Sequence, residues 1–396
     1  MSGSPIGVGI VGASPLSPGW ATRAHLPALR ALPEFSLKAV STSRPQSAAA
    51  ARDAFGVDAF DNATDLIAHP GVDLIVVSVR VPEHHQLVSA AIEAGKMVFC
   101  EWPLGRTSAE AQDLARRARL AGVRNVVGLQ ASFAPAIRYL ADLIADGYIG
   151  DVLSTSLVGS GMAWGATTDS RSAYLFEKGN GATMVTVAVA HAIDAVAAVL
   201  GEFAELSATT AVRQRQVRVD DGSVLTATSP DQAAIQGTLQ SGAVASIVYR
   251  GGESRATNLR WDITGSHGDL LVTSSFGNIQ VADLAVEGGR GAERLVHPLV
   301  IPGSYSKQAP SAPAGLAANV TYLYSQFASD LRNGTHGAPG FERAVRLHGL
   351  LDAIHISAAS GRAQQTPAGA GTSLTQMGEC RAQPHIDGPL ADPKTR

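Results

Sequence analysis

At 396 residues the chain is too long for one ordinary hydrophobic core, and at about 150 residues per domain it points to two domains. Hydrophobic residues make up 45% and charged residues 16%, which excludes a disordered body and leaves ample material for a buried core. A formal net charge of -3, without any block of like charges, excludes the field that would draw in nucleic acid or an anionic membrane and points to a small-molecule partner.

The chain opens MSGSPIGVGIVGAS, with no basic residue before a short apolar run, so neither a signal peptide nor a membrane span is expected and a cytoplasmic location is the default. The first third then alternates short β-branched runs with helix-like stretches, the pattern of βαβ units in a parallel sheet. Strands are expected at 6–11, 36–41, 74–79, 97–100 and 124–129, and helices at 21–31, 46–55, 84–94 and 108–121, with Gly95 and Gly122 just past helix ends. Residues 1–133 read as a doubly wound, dinucleotide-binding Rossmann domain. Beyond a helix at 135–146, strands at 152–158, 244–249, 258–263 and 270–272 suggest an α+β domain, residues 134–360, built on a large, mostly antiparallel open sheet. Helices are expected at 316–333 and 341–360, and the Gly/Pro-rich residues 361–396 read as an extended or mobile tail. The two cysteines, Cys100 and Cys380, lie far apart and indicate neither a disulfide framework nor a metal site.

The first strand contains a G-x-G-x-x-G match at Gly7, Gly9 and Gly12. In a dinucleotide-binding unit the first glycine of that motif must stand where the strand ends, because the backbone turns there toward the pyrophosphate. Gly7 and Gly9 lie inside the strand, so the working loop begins at Gly12 and runs through Ser14 to Gly19 and Trp20. It is either a phosphate cradle or a plain strand-to-helix connection. At the end of the second strand, NAD-binding folds carry an Asp or Glu for the ribose hydroxyls. Here Ser41, Thr42, Ser43 and Arg44 stand instead, a set suited to the 2′-phosphate of NADP in preference to NAD, with an ordinary polar loop as the alternative.

The run VDLIVVSVRVPEHHQLVSAAIEAGKMVFCEWPLGRT, residues 72–107, resembles the Gfo/Idh/MocA oxidoreductases, with their strand, Pro-Asn, His, helix, Ala-Gly-Lys, strand and Glu-Lys-Pro. GYIGD at 147–151, Gly179-Asn180-Gly181 leading to His191-Ala192-Ile193-Asp194, and SAASG at 357–361 extend the resemblance over most of the chain in order. Within the family, Gly19-Trp20, Glu101-Trp102-Pro103 and Leu129-Gln130 look most like a branch typified by a fungal galactose-pathway corepressor, a regulator that binds NAD(P). The resemblance implies that Val79, Arg80, His84, Glu101, Trp102 and Gln130 line the cofactor site. It also implies a homodimer or homotetramer formed through the open sheet. Departures from the pattern are Trp102 for the Glu-Lys-Pro lysine, Val187 for an Asp four residues before the helical His, and Arg80-Val81 for Pro-Asn.

His191 is the acid/base candidate because an unperturbed imidazole titrates near neutrality, and Asp194 one helical turn later is placed to orient it or to bind a substrate hydroxyl. The alternative is a hydrogen-bonded core histidine. Trp102 reads equally as a stacking surface or as core filling, and Arg80 as a cofactor or substrate anchor or as a surface residue. Trp164, Arg171, Tyr174 and Asn180 offer aromatic faces and hydrogen-bonding edges, a combination suited to a sugar-like or cyclic substrate. The expected function is NAD(P)-dependent hydride transfer on such a compound; the rival is a catalytically silent NAD(P)-binding regulator.

Overall fold

The computed structural model describes residues 4–366; most of the expected tail lies outside the described residues. Six strands, β1 (Ile6–Val11), β2 (Phe35–Ser41), β3 (Asp58–Phe60), β4 (Leu74–Val77), β5 (Met97–Cys100) and β6 (Asn125–Val127), form a parallel sheet in the order β3-β2-β1-β4-β5-β6. This is the doubly wound order whose chain reverses direction between β1 and β4, and the ligand crevice of such a sheet lies beyond the strand ends at that point. The near-continuous apolar β4, LIVV, is fully buried because helices cover both faces. Residues Ala21–His25, a π-turn, and α1 (Leu26–Arg30) form one helical stretch, followed by α2 (Pro45–Phe55), α3 (Ala63–Ala68), α4 (His84–Glu93) and α5 (Ser108–Leu120). Thr107 caps α5 by accepting from the Glu110 backbone N–H, and Glu110 Oε2 in turn accepts from the Arg106 N–H. These two bonds satisfy donors that a helix start otherwise leaves open. Gly95 and Gly122 take positive φ after α4 and α5, as the helix-stop pattern requires.

After α6 (Pro135–Ala145), the chain enters β7 (Val152–Gly161), a central strand of a nine-stranded sheet. Every pairing in that sheet is antiparallel except that of β7 with Val244–Gly251, so the sheet is mixed and mostly antiparallel. Strands Phe203–Ala211, Gln232–Leu239 and Ala285–Arg290 escape the sequence reading because small, polar and charged residues interrupt their apolar pattern. Gln364–Gln365, inside the stretch expected to be a tail, pairs with Phe203–Ala211 at the sheet edge and so belongs to the fold.

Two helices tie the layers together. In α8 (Ala318–Asn333), Val320, Leu323, Tyr324 and Phe327 enter the same core cluster as Ile10 and Phe99, so a helix from the last third of the chain covers one face of the Rossmann sheet. Burying each Leu or Phe of that face contributes on the order of 1.5–3 kcal/mol. In α9 (Phe341–Ser360), Phe341, Leu347, Leu350 and Ile354 join the core that runs from β4 and α5 into the second sheet. The stretch Lys178–Leu200 is long and apolar enough to cross a membrane, but 78% of its most apolar window is buried inside the protein, where it forms the central helix α7 (Ala190–Leu200) and its lead-in.

Candidate functional site

The loop from β1 into the first helix begins at Gly12, whose φ is 98° and where a Cβ would lie 2.5 Å from the Ser78 carbonyl oxygen. Only glycine permits this approach between the ends of β1 and β4. Ser14 and Gly19 are half-buried along the loop, and the indole Nε1 of Trp20 is buried with no partner in the protein. Such an orphaned donor costs about 1–3 kcal/mol and is retained when something outside the chain meets it. The constrained glycine, the orphaned donor and the position at the strand-order reversal together fit a bound dinucleotide.

At the end of β2, Thr42 is buried and its hydroxyl donates to the Arg44 carbonyl (3.2 Å) and accepts from Ser47 Oγ (2.8 Å), so local structure uses it. Ser43 and Arg44 are exposed, with no acidic side chain beside them in sequence. Arg44 is the N-cap of α2, and its side chain makes no ion pair among the described residues.

Beyond β4 and β5 the structure separates residues that the sequence grouped. Val79 packs its Cγ1 close to Gly12. Arg80 is exposed, the surface placement that was one of its two readings. His84 is buried between the β4 and β5 loops, with Nδ1 2.8 Å from the Pro103 oxygen and Nε2 3.2 Å from the Val79 oxygen; burial lowers its pKa, and the neutral ring donates to one of these two carbonyls. Glu101 is partly exposed, and its carboxylate lies 3.0 Å from His25 Nε2. His25 Nδ1 is 2.8 Å from the Tyr324 hydroxyl. Burial holds the pKa of that phenol far above its usual value, so the hydroxyl stays protonated beside the ring. His25 and Tyr324 are missed by the sequence reading; the only signal was a histidine on an apolar helix.

Trp102 is core. Its ring is 5% exposed, Nε1 donates to the Thr186 carbonyl (2.7 Å), and His348 lies against it at 4.8 Å between ring centroids. It therefore offers no face to a nicotinamide or a substrate. The same bond brings the end of β5 to the π-turn Val185–Val189, which carries Val187 and leads into His191. Gln130, just after β6, is buried with its Oε1 unpartnered.

His191 is buried with its Nδ1 unpartnered, so it is not the satisfied core histidine of the alternative reading. Burial pushes its pKa down to about 3, far from neutrality, because nothing nearby compensates an imidazolium. Asp194 does not orient it. Its Oδ1 accepts from Arg343 Nε (2.9 Å) and lies 2.8 Å from Nη2, and Arg343 in turn reaches Glu202 (3.3 Å). On an α-helix, positions three apart share a face only approximately, and here Asp194 turns to α9 and the small pocket lined by Arg343, Arg346 and Leu350.

The remaining substrate candidates lie on or beside one strap, residues 165–181, between β7 and the π-turn. Trp164 is buried and donates to the Leu175 carbonyl (3.2 Å), so it anchors the strap. Asn180 donates to the Tyr174 carbonyl (3.0 Å) and to Glu177 Oε2 (3.2 Å). Tyr174 lies under the Arg80 guanidinium, 4.8 Å from the ring centroid, and burial raises the pKa of its hydroxyl. Arg171 donates to the Pro18 carbonyl (2.6 Å) across the domain junction. The structure thus links Asn180, Tyr174, Arg80 and Arg171 in one chain of contacts that meets the loop after β1 through Arg171, and gives Trp102, Trp164, His84 and Asp194 partners within the protein.

The N-terminal third, residues 6–129, matches the model of the oxidoreductase family with the NAD-binding Rossmann fold, Gfo/Idh/MocA, and residues 135–274 match the Gal80p C-terminal domain. A dehydrogenase of Aspergillus oryzae, aclE, is 31% identical over 340 residues, 83% of this chain and 88% of that protein. The chain belongs to the Gfo/Idh/MocA oxidoreductase family. The galactose/lactose metabolism regulatory protein GAL80 of Saccharomyces cerevisiae is 28% identical over 305 residues, covering 72% of this chain and 70% of that one. Among solved structures, a levoglucosan dehydrogenase in complex with NADH and levoglucosan superposes with a TM-score of 0.79 at 21% identity, covering 92% of this chain and all of that one; at this identity the likeness is one of fold.

Proposed function

We propose that this member of the family is an NAD(P)-dependent dehydrogenase or reductase that works on a hydroxyl or carbonyl carbon of a sugar-like or cyclic small molecule, with His191 as the proton carrier. The observation that carries the reading is the orphaned Nδ1 of His191, a buried ring nitrogen that no protein group satisfies, on the helix whose lead-in abuts the end of β5. The nicotinamide, when bound, supplies the hydride chemistry; the chain positions the reacting carbon and handles one proton. Relatives named for dehydrogenation, and one solved with NADH and a cyclic sugar derivative, support the substrate class. Held neutral by burial, His191 hydrogen-bonds a substrate hydroxyl without the cost of a buried charge, but it is a weak base. The exposed Ser43 and Arg44 favour NADP over NAD.

A second reading, a silent NAD(P)-binding regulator, is favoured by one specific set of facts. Trp102 and Val187 replace the family's lysine and aspartate, and no group titrating near neutrality stands in for them at those two positions. Turnover of NAD(P)H followed at the nicotinamide absorbance, across sugars, cyclitols and aromatic alcohols, separates the two. Loss of a measured rate in His191→Ala supports the enzyme, and tight cofactor binding with no turnover on any class supports the regulator. We also propose a cytoplasmic homodimer or homotetramer. The family resemblance, with Val244 and Val248 exposed on the open face of the large sheet, supports this reading, and sedimentation velocity reports whether a second copy covers that face.

A further inference from the structure

The strap 165–181 is held rigidly from behind and touches the Rossmann domain in front. Behind, Ser170 donates to Asp220 through its N–H (2.9 Å) and hydroxyl (2.6 Å), and the Phe176 carbonyl accepts from the Thr228 and Ser229 N–H groups (2.9 and 3.0 Å). In front, Arg171 Nη1 donates to the Pro18 carbonyl, and Nη2 lies against Gly19 so closely that any Cβ there would collide with it. Arg80 Nη2, from the end of β4, donates to the Arg171 carbonyl (3.1 Å). Neither arginine has a carboxylate partner among the described residues.

Arg171 therefore stands without a carboxylate partner on the loop that fits a dinucleotide, and Arg80, from the Rossmann side, holds its backbone carbonyl. Arg171 has five N–H donors and spends one on a neutral carbonyl. Its remaining donors stand beside a glycine turn, and a diphosphate carries two negative charges and the acceptor geometry of a guanidinium fork.

We propose that Arg171 is a cofactor-binding residue supplied by the second domain: its guanidinium closes over Gly19 onto the diphosphate of the dinucleotide. This rests on the reading of the Gly12–Gly19 loop as a cofactor cradle. A consequence is that the strap holds Tyr174 and Asn180 in a fixed place relative to the bound cofactor.

The test uses the full chain and three probes, NADH, ADP-ribose and adenosine, titrated by tryptophan fluorescence and calorimetry. Arg171→Ala is expected to weaken NADH and ADP-ribose at least tenfold and adenosine less than twofold. Arg171→Gln keeps a donor for the Pro18 carbonyl but no charge, so it preserves the strap contact and shows the same loss, and the salt dependence of ADP-ribose binding flattens in it. Arg171→Lys recovers only part of the loss. ADP-ribose affinity within twofold of wild type in Arg171→Gln overturns the proposal, as does an equal loss for adenosine. If the wild-type chain binds neither NADH nor ADP-ribose, the cofactor reading of the loop has failed instead.

Discussion

Replacing Arg343 by alanine distinguishes a structural Asp194 from a catalytic one. Asp194 is 2% exposed, and its Oδ1 takes both contacts to Arg343, at 2.9 and 2.8 Å, while Oδ2 has no partner at all. Removing the guanidinium therefore strands a buried carboxylate, and breaking a buried pair from one side costs about 3–5 kcal/mol. Glu202, 3.3 Å from Arg343 and 3.6 Å from Arg346, keeps one cation and softens its own loss. The double variant Asp194→Leu/Arg343→Met removes both charges and is expected to recover most of that cost, because an apolar pair of similar volume suits the wall formed by Ile193, Val196, Leu347 and Leu350. Urea unfolding followed by circular dichroism reads the stability, and NADH binding is measured alongside. If Arg343→Ala unfolds at the wild-type midpoint, or the double variant is no better than the single one, the ion pair is not what holds α7 against α9. If Asp194→Leu/Arg343→Met is stable but loses all turnover, Asp194 belongs to the chemistry after all.

Trp102→Ala is expected to cost about 3–5 kcal/mol, because it empties a buried site and orphans the Thr186 carbonyl, while NADH affinity stays within a few-fold; a stable variant with abolished NADH binding contradicts the core assignment. Arg44→Ala is expected to weaken NADPH much more than NADH in fluorescence titrations, and equal losses remove the argument for the 2′-phosphate. Burial lowers the pKa of His191 to about 3 and of His348 to about 4, from an ordinary value of 6.5. Above pH 6.5 both are neutral folded and unfolded, so they add no slope. As pH falls from 6.5 toward those values the unfolded chain takes protons that the folded one refuses, and stability drops by about 1.4 kcal/mol per pH unit per histidine. Urea midpoints at pH 7, 5.5 and 4.5 should fall less steeply in His191→Gln, and an unchanged slope refutes the assignment. For the same reason no histidine inflection from His191 is expected in turnover between pH 5 and 8.

How far residues could be read toward the site depended on whether their partners were near in sequence. Gly12 was readable because a strand end followed by a glycine demands a tight turn, whatever lies elsewhere. Arg80 was left between an anchor and a surface residue, because nothing in its own neighbourhood says that Tyr174 and Arg171 lie 90 residues away across the domain junction. The expectation that Asp194 serves His191 followed from local helix spacing and ignored Arg343, 149 residues on, which competes for the carboxylate and wins by charge. Trp102 was left between two readings, and the partner that decides it, Thr186, belongs to the other domain.

By itself the sequence determined what local chemistry dictates: apolar runs of β-branched residues alternating with capped helices, and hence a parallel sheet whose order places a glycine turn at a ligand crevice. It also carried the family, through short motifs kept in order along the chain. Only the tertiary structure decided that α8 completes the Rossmann core, that the buried His25 stands between Tyr324 and the partly exposed Glu101, and that burial takes the His191 pKa far below neutrality. Desolvation and ion pairing depend on which groups are brought within a few ångströms and how much water is left between them, and neither is encoded in any short stretch of chain.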